Sequence, residues 1–261
     1  MKKRIILFIG IMLLLSPLSL SASGYGWGYK KNTNNQPPEV GKYGQIIEKY
    51  GGFYMDPSGD KHIYLTFDNG YEAGFTEQIL DILKKKEVPA TFFLTGHYVD
   101  DQPALVKRMV KDGHNIGNHS DGHIDFTKAS KERFTDDVEA LTKKIKETVP
   151  EAAVKYIRPP KGTFNEKSLE WANELGYIHM FWSIAFVDWN EGDEKGWEHA
   201  YQQVMDQIHP GAIVLMHTVS RDNAESLEHL IDDLRKQGYT FKSLDDLLMK
   251  QLLPNVYHFL K

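Results

Sequence analysis

Apolar positions along the chain gather in short runs separated by stretches of helical spacing. The first clear run is Ile63, Tyr64, Leu65 and Phe67. It is too short for a helix, and Gly70 follows it, so it reads as a buried strand that turns sharply just past Asp68 and Asn69. Helical spacing covers 76–86, a second apolar run covers 90–94, and a helix is expected over 103–111, with Pro103 at its start and Gly113 just beyond its end. The alternation continues with a short strand at Ile116, a long charged helix over 131–148, and strands at 156–157, 179–182, 212–216 and 240–241. Helices over 167–175, 197–208 and 224–237 complete it. About seven strand-helix units predict an α/β fold with a parallel barrel, although an open doubly wound sheet gives the same alternation. In either architecture the chemistry belongs at the C-terminal mouth of the strands.

The ends of the chain read differently. Lys2, Lys3 and Arg4 precede an unbroken apolar run over 5–15, and small residues follow at Ser19, Ser21, Ala22 and Ser23. This is the layout of a secretory signal over residues 1–22, so an exported protein acting outside the cytoplasm is expected. A retained membrane anchor is the rival reading, but the run is shorter than the ~20 residues of a spanning helix and Pro17 interrupts its end. Residues 23–60 are rich in Gly, Tyr, Asn and Pro without a sustained period, which predicts an extension whose Trp27, Tyr29 and Tyr43 pack on the outside of the barrel domain at 61–250. Residues 251–261 form a C-terminal tail.

The formal net charge is −5, more negative once the basic leader is removed, and the chain has no Cys. Nucleic acid is therefore not a partner, and neither a disulfide framework nor a lipid-modified Cys is available. No Gly-rich phosphate loop follows the first strand and no internal repeat is evident. His119 and His123, four residues apart after a glycine-bounded strand, suit a divalent metal that keeps open positions if a helix or tight turn puts both imidazoles on one side. Taken alone, such a pair is more often two unrelated histidines.

Five segments taken in order carry a stronger signal. They are Thr66-Phe67-Asp68-Asn69-Gly70, His119-Ser120-Asp121-Gly122-His123, Arg158-Pro159-Pro160-Lys161-Gly162, Val187-Asp188-Trp189 and Leu215-Met216-His217-Thr218. Their order and spacing resemble the five motifs of the polysaccharide deacetylases, carbohydrate esterase family 4, over most of the chain. The resemblance implies a distorted (β/α) barrel and metal-assisted removal of N-acetyl groups from cell-wall or chitin-like sugars. It implies Asp68 as general base with Arg158 as its charge partner, and His217 as general acid with Asp188 raising its pKa and fixing its tautomer. His119 and His123 become metal ligands, and a backbone N–H near Tyr71 completes an oxyanion site.

One departure matters. The family's first motif normally has Asp-Asp, whereas this chain has Asn69, whose neutral amide oxygen binds zinc or a similar divalent ion more weakly than a carboxylate. A weakly held metal is expected. That Asn, with Phe67 to Glu72, Phe186 to Trp189 and His217 to Glu225, is similar to the muramic δ-lactam deacetylases of endospore-forming bacteria. Those enzymes act on N-acetylmuramic acid lacking its stem peptide, and the freed amine closes a lactam with the lactyl carboxylate. Such a substrate needs a cation near the reacting amide. Lys161 is the candidate, where the subgroup usually has Arg, and Arg221 is the second. Trp189 and Tyr71 are expected beside the sugar. The implied partner is a peptidoglycan glycan strand; no stable protein partner is implied, and a monomer is expected. Two alternatives stay open: a deacetylase of N-acetylglucosamine polymers, and a carbohydrate-binding relative impaired by Asn69.

Overall fold

In a computed structural model of the protein, residues 24–252 are described, apart from Thr33 and Glu191. The expected signal at 1–22 lies outside the described residues, as does the tail beyond residue 252. The chain runs β1 (Tyr25–Gly26), α1 (Gly41–Lys49), β2 (His62–Asn69), α2 (Thr76–Lys85), β3 (Ala90–Leu94), α3 (Gly96–Asp101), α4 (Pro103–Lys111), β4 (Asn115–Asn118) and α5 (Lys131–Thr148). It continues through β5 (Tyr156–Ile157), β6 (Thr163–Phe164), α6 (Glu166–Glu174), β7 (Ile178–His179), α7 (Trp197–Met205), β8 (Ala212–His217), α8 (Arg221–Lys236), β9 (Thr240–Phe241) and α9 (Leu244–Leu252).

Seven strands make one parallel sheet in the order β7-β5-β4-β3-β2-β8, with β9 also paired to β2. Every residue of β2 is buried, as a parallel strand covered on both faces requires. Its side chains sort by parity. Ile63, Leu65 and Phe67 join Phe92 and Leu94 of β3 in the layer under the helices, while Tyr64 joins Phe93, Tyr156 and Ile213 on the barrel's inner side. Asp68 shares the parity of Tyr64 and so belongs to the inner face.

The barrel expected from the sequence is distorted at one place. The predicted strand over 179–182 exists only as β7; the chain then bends, and a single parallel bridge joins Ile184 to Val214 of β8. One segment thus pairs with β5 at its start and reaches β8 at its end, leaving Phe181 and Trp182 out of the ladder. The N-terminal extension is more ordered than its composition suggests. β1 pairs antiparallel with β6, and α1 forms although Gly41 and Gly44 dilute its pattern and only Gly44 and Ile47 are buried in it. Trp27 packs against Tyr54 and Phe181 with ring centroids 5.3 and 5.2 Å apart, as expected of an aromatic holding the extension to the domain.

At the opposite end from the strand mouths, α9 closes the barrel. Lys250 Nζ lies 2.8 Å from Asp56 Oδ2 and 2.7 Å from Asp60 Oδ2, and Tyr64 donates to Asp56 Oδ2 at 2.9 Å. The Asp56 N–H donates to the Gly211 carbonyl at 2.8 Å, and Gly211 has φ +80 with an added Cβ falling 2.1 Å from the Asp56 carbonyl oxygen, so only Gly fits there.

Candidate active site

Parallel register places Asp68 of β2 opposite His217 of β8 and opposite Phe93 of β3. Side chains at register partners leave the sheet on the same face, about 4.8 Å apart. A carboxylate and an imidazole from distant parts of the chain therefore meet at one rim.

Arg158 enters from the end of β5 and is fully buried. Its Nη1 donates to Asp68 Oδ1 at 2.7 Å, its Nε to the Met180 carbonyl at 2.9 Å and its Nη2 to the Phe181 carbonyl at 3.2 Å. Those two carbonyls belong to the bend that left the ladder, so one guanidinium satisfies the distortion and neutralises the carboxylate. Phe93 lies against it, ring centroid 4.1 Å from the Arg158 Cζ. Gly117 makes room for that ring, because an added Cβ would fall 2.4 Å from Phe93. Burial opposes ionisation of Asp68, but the charge and hydrogen bond of Arg158, joined by His119 and His217, together hold the carboxyl below the usual carboxylate range.

His217 is tuned in the other direction. Its Nδ1 lies 2.7 Å from Asp188 Oδ1, and its backbone N–H donates to Asp188 Oδ2 at 2.8 Å. Burial would lower the imidazole pKa, yet the Asp188 charge and hydrogen bond raise it above the ordinary value. The site thus holds a carboxylate whose pKa is lowered beside an imidazole whose pKa is raised. Trp189 is half exposed, with its ring centroid 5.3 Å from that of His217.

His119 and His123 sit on a loop after β4 rather than on a helix, with ring centroids 5.2 Å apart. Ser120 and His123 both have positive φ, as does Lys161, so three strained non-glycine residues cluster around one cleft. The strain is held by side-chain acceptors. Asp137 of α5 accepts from the Asp121 and Gly122 N–H groups at 3.0 and 2.9 Å, and Asn118 Oδ1 accepts from the Ser120 N–H at 2.9 Å. The sequence reading missed Asp137, which sits within a charged helix and has no local signal of its own. His119 Nδ1 lies 2.9 Å from the Arg158 carbonyl, which makes Nδ1 the protonated nitrogen and leaves the Nε2 lone pair free toward Asp68 Oδ2, 3.5 Å away. Burial lowers the pKa of His119, and burial together with His119 lowers that of His123 to about 4, so both rings are neutral and able to act as ligands.

Asn69 is fully buried. Its Nδ2 donates to Thr218 Oγ1 at 2.8 Å, which leaves Oδ1 buried without a hydrogen-bond partner. Among the described residues no group of three or more His, Cys, Asp or Glu is arranged to hold a metal. His119 and His123 line the cleft as two neutral nitrogen donors of a kind that fits a divalent cation, whereas Asn69 does not line it and keeps a buried acceptor unpaired, which is otherwise costly.

A cleft of about 770 Å³ joins these parts, lined by Asp68, Tyr71, His119, His123, Lys161, Trp182, Trp189 and His217 among others. Arg158, Asp188 and Asn69 stand behind its wall. Lys161 is exposed at the rim. Arg221 is not brought to the cleft: it is not among the residues that line it, and its Nη2 lies 2.9 Å from Glu194.

Residues 56–179 match the model of the polysaccharide deacetylase family. The chain is 50% identical over 226 residues, 86% of each sequence, to the peptidoglycan-N-acetylmuramic acid deacetylase PdaA of Bacillus subtilis. The chain belongs to the polysaccharide deacetylase family. The solved structure of that Bacillus subtilis protein, a family 4 carbohydrate esterase, superposes with a TM-score of 0.85 at 49% identity, covering 87% of this chain and 98% of that one. A chitooligosaccharide deacetylase from Bradyrhizobium is 33% identical over 208 residues, 74% of this chain and 94% of its own. The polysaccharide deacetylase fold accounts for the half-barrel of parallel strands and for the ordered motifs at its mouth.

Proposed function

We propose that this chain is an exported hydrolase that removes the acetyl group from N-acetylmuramic acid residues of peptidoglycan that have lost their stem peptide, leading to muramic δ-lactam in spore cortex. The observation that carries this reading is the register of Asp68 against His217, two groups at one rim whose pKa values are pushed in opposite directions. The 50% identity to a muramic acid deacetylase, against 33% to a chitooligosaccharide deacetylase, supports the muramic substrate.

In this reading Asp68, kept ionised by Arg158, accepts a proton from the attacking water. His217, protonated and held through Nδ1 by Asp188, presents Nε2 to the leaving nitrogen and donates the proton that lets the amine depart. A backbone N–H near Tyr71 receives the carbonyl oxygen as it gains charge. Tyr71 and Trp189, both partly exposed, flank the sugar ring, and Lys161 meets the lactyl carboxylate as a point charge. His119, His123 and Asn69 would hold a divalent ion, which when bound supplies Lewis acidity toward the water and the acetyl carbonyl.

The test is to incubate purified protein with peptidoglycan stripped of stem peptides by an amidase, with and without added divalent metals, and to follow acetate and lactam by mass spectrometry. Stripped glycan should release acetate while intact glycan releases little. Faster release from chitin oligomers would replace the muramic assignment with a glucosamine one.

A further inference from the structure

The loop that carries Asp188 and Trp189 is fixed from outside, by the first turn of α8. Arg221 pairs with Glu194, and Asp222 Oδ2 accepts from the Lys195 and Gly196 N–H groups at 2.8 and 2.9 Å. The third residue of that turn reaches the acid pair itself. Asn223 Nδ2 donates to Asp188 Oδ2 at 2.5 Å and to the His217 carbonyl at 3.0 Å.

We propose that Asn223 is a positioning residue for the proton-donating step, a single amide that locks Asp188 and the end of β8 into one geometry. The inference rests on the roles given above to His217 and Asp188. Among the described residues, the other donors to Asp188 both belong to His217, its Nδ1 and its backbone N–H. A carboxylate held only by the residue it is meant to orient has no independent reference. Asn223 supplies that reference from a separate helix.

Two further observations support this. Asn223 is fully buried, and its Oδ1 has no hydrogen-bond partner. A buried amide that leaves its acceptor unpaired is destabilising unless its donor does something an apolar side chain cannot. Starting α8 does not need this side chain, because Ser220 Oγ caps the helix by accepting from the Asn223 N–H at 3.2 Å. The amide group is thus free of capping and committed to the pair.

The experiment compares wild type with Asn223→Ala and Asn223→Asp, using stripped glycan oligomers and recording kcat, KM, melting temperature and the pH dependence of kcat. Asn223→Ala should lower kcat about tenfold with KM nearly unchanged, the scale typical of losing a partner that orients a functional group. The alkaline limb of its profile should move to lower pH, because an Asp188 that swings away from Nδ1 no longer raises the His217 pKa as far. If the Ala variant does not fold, the isosteric Asn223→Asp carries the test, since a second carboxylate in place of the donor should also depress kcat. Wild-type kcat in either folded variant, or a loss confined to KM with the limb unmoved, overturns the proposal. Failure of the deacetylase assignment reads differently, as a wild-type protein that releases no acetate.

Discussion

At its two ends β2 borders a buried carboxylate paired with a cation, and the two pairs differ in what is left unsatisfied. At the closed end Asp56 accepts from Lys250, from Tyr64 and, through Oδ1, from the Ser58 N–H at 3.0 Å. At the mouth Asp68 Oδ1 is taken by Arg158, but Oδ2 faces the cleft with only His119 Nε2 at 3.5 Å. Both carboxyls lie below their usual pKa against the opposing effect of burial, Asp56 through His62 and Lys250, Asp68 through Arg158. Saturating a buried anion yields a structural joint. Leaving one oxygen open yields a base.

The largest effect separates these two outcomes. Asp68→Ala should reduce turnover by on the order of 10²–10⁴-fold or more. It should also destabilise the fold by about 3–5 kcal/mol, because Arg158 is left as an uncompensated buried charge. Asp56→Ala should cost a similar amount of stability in denaturant titrations and leave kcat of the folded protein near wild type. Equal losses of kcat in both variants would erase the distinction.

Next in size is the proton-donating half of the chemistry. Since Asp188 raises the His217 pKa above its ordinary value, wild-type activity should decline as pH rises through that raised value. Asp188→Asn removes the charge, so the decline should begin at lower pH, with kcat reduced at neutral pH and visible in a pH-rate series.

Asn69→Asp sharpens the comparison by adding an anion at the open end. Metal affinity measured by calorimetry or chelator competition should tighten by about ten- to hundredfold. Unchanged affinity would place Asn69 outside the ligand set.

The smallest effect lies at the closed end. A depressed carboxyl pKa contributes stability that is fully present above the unfolded value and is lost as pH falls through the folded one. Stability should therefore drop on acidification below about pH 4, the ordinary range of an Asp. Lys250→Met should flatten that drop in melts between neutral and acid pH, since it removes one of the cations that depress Asp56.

Much of this architecture was legible in the residues. Pro103 and Gly113 bracket α4, the long charged helix falls at 131–148, and the apolar run at Ala90–Leu94 has no helical spacing, so those elements fall where pattern and punctuation put them. The strand over 179–182 was not legible as it stands, because its apolar residues look uniform while only Ile178–His179 pairs and the rest bends toward β8. α8 begins at Arg221, three positions before its apolar period suggests, because Ser220 caps it. At the site, Asp68, His119, His123, Arg158, Asp188 and His217 carry their motifs in plain order. Asp137 and Asn223 act across the fold, and no local spacing reports a tertiary partner. Arg221 shows the converse: its charge suggested a substrate contact, but Glu194, distant in sequence, already occupies it.

The guanidinium that answers the carbonyls of Met180 and Phe181 gives the distortion of the barrel a purpose. A regular ladder there would consume both oxygens and leave Arg158 no socket, so the irregular wall and the reactive carboxylate stand or fall as one unit. Anyone transplanting this chemistry to another scaffold must carry the kink along with the side chains.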